Sequence, residues 1–139
     1  MTTVEEALEG TTPLAQKVRA RGPYRSASEL VAQMRALLPA LTEGEKVETL
    51  NAHPRIGEDP ARLSSRSLQE QGGDSLPELE RLNAEYERRF GFRFVIFVNR
   101  RPKAQIVEVL RQRLTRSRAE EMEEGLQAIV DIAEDRLRS

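Results

Sequence analysis

The chain has 139 residues, 38% hydrophobic and 32% charged, with a formal net charge of −1, a single histidine and no cysteine. That length suits one domain spanning residues 1–139, with enough apolar material for a core that needs no metal or disulfide staple. Without cysteine there are no disulfides, thiolate nucleophiles or thiolate metal sites, and near-zero net charge gives no reason to expect a polyanionic partner.

The N-terminal stretch MTTVEEALEG has neither the basic start nor the apolar run of a secretion signal. No stretch approaches the roughly 18 apolar residues that cross a bilayer. A cytoplasmic location without membrane insertion is therefore expected. Pro13 after Thr12 predicts a helix start, because a missing N–H costs little in a first turn. Ser26 with Glu29 and Thr42 with Glu45 predict two more. In each S/T-x-x-E pattern the hydroxyl can accept a backbone N–H while the glutamate reaches back. Leu30, Met34, Leu37, Leu38 and Leu41 form an apolar stripe expected to be core.

The segment EGEKVETLNAH carries the next helix to His53, three residues beyond Leu50 on one face, so the imidazole is expected to point coreward. Pro54 disfavours helical geometry at His53. The helix should end about there, with the imidazole at the negative end of the helix dipole, which predicts a favoured protonated form. Taken alone, His53 reads more simply as a capping or solvent-exposed histidine than as a catalytic group.

GEDPARLSS and QGGDS read as loops. Ser64 suits an N-cap, and Ser67 and Glu70 lie three apart on one helical face with Gln71 adjacent, which is itself a capping-box pattern. Pro77 after Ser75 predicts a further helix start, followed by an apolar stripe of Leu79, Leu82, Tyr86 and Phe90. GFRFVIFV, residues 91–98, has the composition of a strand, yet no second such run exists to pair with it. An extended buried segment or an atypical piece of helix is expected instead. Arg88, Arg89, Arg93, Arg100, Arg101 and Lys103 around it form a basic patch, read as a solvated face rather than a nucleic-acid site. Ser117 with Glu120 opens the last helix, whose apolar face is Met122, Leu126, Ile129, Val130, Ala133 and Leu137. The predicted fold class is all-α, a single-domain multi-helix bundle with one extended apolar segment.

One histidine and no cysteine leave too few strong ligands for a zinc site, and the chain has no H-E-x-x-H, phosphate-binding glycine loop or G-x-S-x-G elbow. Taken together, HPRIG, SLQEQ, LNAEYERRFGFRFVIFVNRRPKAQIVEVLRQRL and IVDIAEDRL resemble, in order and spacing, the OHCU decarboxylase family. These enzymes act on 2-oxo-4-hydroxy-4-carboxy-5-ureidoimidazoline (OHCU) in urate degradation. PLAQKVRARGPYRSASELVAQM is similar to the family's N-terminal helices, so the likeness covers nearly the whole chain.

The resemblance implies an all-helical, cofactor-free, metal-free homodimer that converts OHCU to (S)-allantoin and carbon dioxide. It implies His53 as the catalytic histidine and Glu70 as its partner carboxylate. Pro54, Ser67, Gln71 and Arg136 would contact substrate, and the backbone at Phe94, Val95 and Ile96 would form the pocket wall. Arg93, Phe97 and Asn99 depart from the family's usual residues, which bears on pocket shape. The competing readings are a non-catalytic small-molecule-binding protein on the same fold and, further off, a helical nucleic-acid module using the basic patch.

Overall fold

The computed structural model describes residues 3–55 and 76–138. These contain α1 (Val4–Ala7), α2 (Pro13–Ala20), α3 (Ala27–Leu37), α4 (Glu43–Asn51), α5 (Leu76–Phe90), α6 (Lys103–Arg113) and α7 (Arg118–Arg138), and no strand. A 3-10 turn, Leu38–Ala40, joins α3 to α4. The proposed loops at 57–65 and 71–75, with Ser64 and Ser75, lie outside the described residues.

Most helix starts follow from their caps. Thr12 accepts the Ala15 N–H ahead of Pro13, and Ser26 accepts the Glu29 N–H. Thr42 and Glu45 form both bonds of a capping box, at 3.1 and 2.9 Å, and Ser117 and Glu120 form another, both at 3.1 Å. Pro77 is the second residue of α5. Two helices were not anticipated. The first, α1, is a single turn whose N-cap Thr3 accepts the Glu6 N–H at 3.1 Å, and α6 starts after Pro102 without a side-chain cap.

Burial follows the stripes. Met34, Leu50, Leu79, Leu126, Ile129 and Ala133 are fully buried, and Leu137 packs at the core's margin. Helix α7, 21 residues and so about 30 Å long, is the element on which α1, α3 and α4 pack; α2 bridges α3 and α4, and α5 lies along α6. The crossing of α4 on α7 depends on Gly125, where a Cβ would come within 2.8 Å of the Leu50 Cδ2.

Gly91, at φ 82°, turns the chain out of α5, its N–H bonding the Glu87 carbonyl at 2.9 Å. Residues 93–98 are then neither helix nor strand, with Phe92, Phe94, Val95 and Ile96 buried. Side chains satisfy backbone groups that a neighbouring strand would otherwise bond. Asn51 Oδ1 accepts the Arg93 N–H at 2.9 Å, Arg113 Nη1 donates to the Val95 carbonyl at 3.1 Å, and Arg101 donates to the Phe97 and Val98 carbonyls at 2.5 and 3.1 Å. Arg118 Nε likewise donates to the Phe90 carbonyl at 2.8 Å. A tight turn follows, with Asn99 and Arg100 at φ 47° and 64° and Arg101 N–H bonded to the Val98 carbonyl at 3.0 Å.

This corrects the reading of 88–103 as one solvated basic face. Arg88, Arg89 and Arg100 are exposed, but Arg93 and Arg101 bond backbone carbonyls, and Lys103 is buried with its pKa lowered by burial. Arginines near a lone strand-like segment are in part its hydrogen-bond partners.

Candidate active site

Helix α4 ends at Asn51, two residues before the predicted end. Ala52 is still near-helical, and the His53 N–H closes on the Leu50 carbonyl at 3.3 Å before Pro54, which is exposed, ends the turn. Arg93 Nη1 donates to the His53 carbonyl at 2.9 Å, joining this corner to the 93–98 segment.

His53 is only 4% exposed, so the coreward orientation holds and the capping or solvent-exposed reading does not. Its Nε2 is buried and has no hydrogen-bond partner among the described residues. The expectation of a protonated imidazole is also overturned. Burial pushes the His53 pKa down to about 4, the Glu9 carboxylate opposes that shift, and the Arg136 guanidinium adds to it. The dipole of a nine-residue helix is a weak effect beside desolvation of a charged ring. At neutral pH His53 is therefore a neutral imidazole that can take up a proton.

Arg136, in the last turn of α7, ion-pairs with Glu9 (Nη2 to Oε1, 2.5 Å), and its Nη1 donates to the Glu6 and Ala7 carbonyls at 3.3 and 3.2 Å. Glu9 lies between α1 and α2 at φ 64°, followed by Gly10 at φ 115°. Three distant parts of the chain thus bring His53, Arg136 and Glu9 together. Sequence reading missed Glu9; its only local trace is the Glu-Gly pair after a one-turn helix, which names no chemistry.

The other expected site residues divide. Ser67, Glu70 and Gln71 lie outside the described residues. Phe94 packs its ring on Tyr86, centroids 5.2 Å apart, and beneath the Arg113 guanidinium, 4.6 Å from the ring centre. Val95 is core, with its carbonyl bonded by Arg113. Ile96 lines a cavity of about 420 Å³ with Phe97, Asn99 and Arg101, whose lining includes neither His53 nor Arg136. A cavity of about 250 Å³ lies beside the His53 corner, lined by Asn51, Arg55, Glu87 and Arg93 among others, with Arg55 bidentate on Glu87 at 2.6 and 2.9 Å. Among the described residues no group of three or more His, Asp or Glu could hold a metal, and no helix is long and apolar enough to cross a membrane.

The fold and the site define a small all-helical protein whose chemistry is set at helix ends, with a neutral histidine buried beside a clamped arginine. The chain belongs to the OHCU decarboxylase family, whose profile matches residues 1–138. It is 30% identical over 97% of its length to the uric acid degradation bifunctional protein PucL of Bacillus subtilis, of which it spans 29%. To the 2-oxo-4-hydroxy-4-carboxy-5-ureidoimidazoline decarboxylase of Haloferax volcanii it is 29% identical over 95% of its length, spanning 83% of that protein. A crystal structure of an OHCU decarboxylase in the presence of (S)-allantoin superposes with a TM-score of 0.78 at 26% identity, covering 89% of this chain and 87% of that one.

Proposed function

We propose that this protein is a cofactor-independent decarboxylase that converts OHCU to (S)-allantoin and carbon dioxide in urate degradation, acting as a single-domain cytoplasmic homodimer. The observation that carries the activity is His53: a buried, neutral imidazole beside Arg136, its Nε2 without a hydrogen-bond partner among the described residues, in a chain of this family. A buried titratable ring whose pKa is strongly shifted suits a residue that meets a ligand.

In this reading Arg136 binds a carboxylate or carbonyl of the substrate through charge-assisted hydrogen bonds. His53 Nε2 accepts the substrate hydroxyl proton as the bond to the carboxylate breaks, the electron pair passes into the substrate's own ring as carbon dioxide leaves, and a proton from water neutralises the ring nitrogen that receives the charge. The same nitrogen then returns the proton to one face of the carbanion, giving one enantiomer. Glu70 is proposed as the partner carboxylate, with Pro54, Ser67, Gln71 and the backbone at Phe94, Val95 and Ile96 as substrate contacts; these assignments rest on the family resemblance.

The test is circular dichroism of allantoin formation from OHCU generated in place from urate. The wild type should produce a rapid optically active signal, with His53→Ala and Glu70→Gln reducing it by about 10²–10⁴-fold. A folded wild type no faster than spontaneous decay would instead leave a small-molecule-binding protein on a decarboxylase fold. Light scattering on the same sample checks the dimer.

A further inference from the structure

We propose that Glu9 is a positioning residue for the reaction, holding Arg136 in the orientation in which its guanidinium meets the substrate beside His53. The inference rests on the reading above that Arg136 contacts substrate.

Arg136 lies on the final turn of α7, with 37% of its side chain exposed. An arginine so placed would sample many rotamers, and fixing it only on ligand arrival would weaken binding and blur the geometry. Here its guanidinium is already held. The Glu6 and Ala7 carbonyls, at the C-terminal end of the one-turn α1, accept from Nη1, while the Glu9 carboxylate takes Nη2 at 2.5 Å.

Glu9 reaches that place through a left-handed backbone at φ 64°. A non-glycine side chain there is strained, and such strain persists where the surroundings enforce it. No other feature of the α1–α2 connection calls for a glutamate, since Gly10 follows at φ 115° and glycine would suit φ 64° better. The Glu9 carboxylate also acts on His53 in the sense opposite to Arg136, so the pair delivers a directed donor to the site with little net charge.

The strain separates positioning from mere structural support. Glu9→Gly relieves the backbone, so its Tm should equal or exceed that of the wild type, while kcat/KM for OHCU falls about tenfold or more. Glu9→Gln, which keeps an acceptor but no charge, should fall between the two. Because Glu9 acts through Arg136, Glu9→Gln combined with Arg136→Gln should be no slower than Arg136→Gln alone. Independent of turnover, the Arg136 Nε–Hε NMR resonance, assigned by its loss in Arg136→Lys, should be sharp in the wild type and broadened in Glu9→Gly. A folded Glu9→Gly with wild-type kcat/KM, additive losses in the double variant, or a wild-type resonance already broadened would each overturn the proposal. An inert wild type with a sharp, Glu9-dependent resonance would instead keep the clamp and sink the decarboxylase reading.

Discussion

Glu121 and His53 are both buried ionisable residues, at 0% and 4% exposure, and their surroundings treat them in opposite ways. Around Glu121 opposite charge and hydrogen bonds converge. Tyr86 Oη and Arg113 Nε both donate to Oε1 at 2.7 Å, and Arg116 Nη1 ion-pairs at 3.2 Å with Oε2, which makes no hydrogen bond among the described residues. Burial and this carboxylate push the Tyr86 pKa up, so the phenol stays a donor. Arg113 goes on to the Val95 carbonyl and the Phe94 ring, tying the 93–98 segment to α5, α6 and α7. Around His53 the opposed charges of Glu9 and Arg136 pair with each other, and Nε2 has no hydrogen-bond partner among the described residues. The first arrangement spends its polar groups on holding the fold. The second keeps a buried imidazole neutral at pH 7.

That contrast can be broken by mutation, and the largest effect should come from Glu121→Ala. It strands the buried Arg113 charge, at 6% side-chain exposure, and should lower unfolding stability by about 3–5 kcal/mol in urea titrations. The folded fraction should keep its turnover per molecule. Near-wild-type stability would mean that Arg113 is compensated by its other contacts.

Next in size is the pH response of His53. Its folded pKa of about 4 lies below the ordinary 6.5, so folding favours the neutral ring. That stability is fully present above pH 6.5 and is lost as pH falls toward 4, roughly 3 kcal/mol in all. His53→Asn should flatten this part of the profile. If the wild type and the variant lose stability in parallel, the ring is already charged in the fold.

Gly125→Ala sets two effects against each other. Helix propensity favours alanine by about 1 kcal/mol. Crowding of the fully buried Leu50, 2.8 Å from the new Cβ, costs about 1–3 kcal/mol. A net loss of about 1 kcal/mol is expected, and because Leu50 stands three residues before His53, activity should fall with Tm. A raised Tm would show that the crossing of α4 on α7 yields. The smallest effect belongs to the surface: Glu43→Gln removes the ion pair to Arg118, with both side chains well exposed (70% and 44%), and should change stability by less than about 0.5 kcal/mol. Arg118 keeps its bond to the Phe90 carbonyl and its place over the Phe92 ring.

Much of the fold was legible. Thr12, Ser26, Thr42 and Ser117 cap helices where their spacing predicts, and the stripes of α3, α5 and α7 are buried. The α6 helix escaped because Pro102 offers no side-chain cap. The site was legible only in part. Resemblance pointed to His53 and Arg136, and helical spacing turned His53 coreward, but local rules gave it the wrong protonation state, and nothing pointed to Glu9. GFRFVIFV read correctly as a buried segment without a partner strand; what could not be read was that Asn51, Arg101 and Arg113 would bond its backbone.

The sequence by itself determined where the capped helices begin, which faces are apolar and to which family the chain is similar, because capping and periodicity act between residues within a turn or two of each other. Only the tertiary structure decided that His53 is buried and neutral, that Arg136 is clamped and that Glu121 is neutralised. Desolvation and Coulomb interactions depend on what packs nearby, and here those neighbours come from opposite ends of the chain.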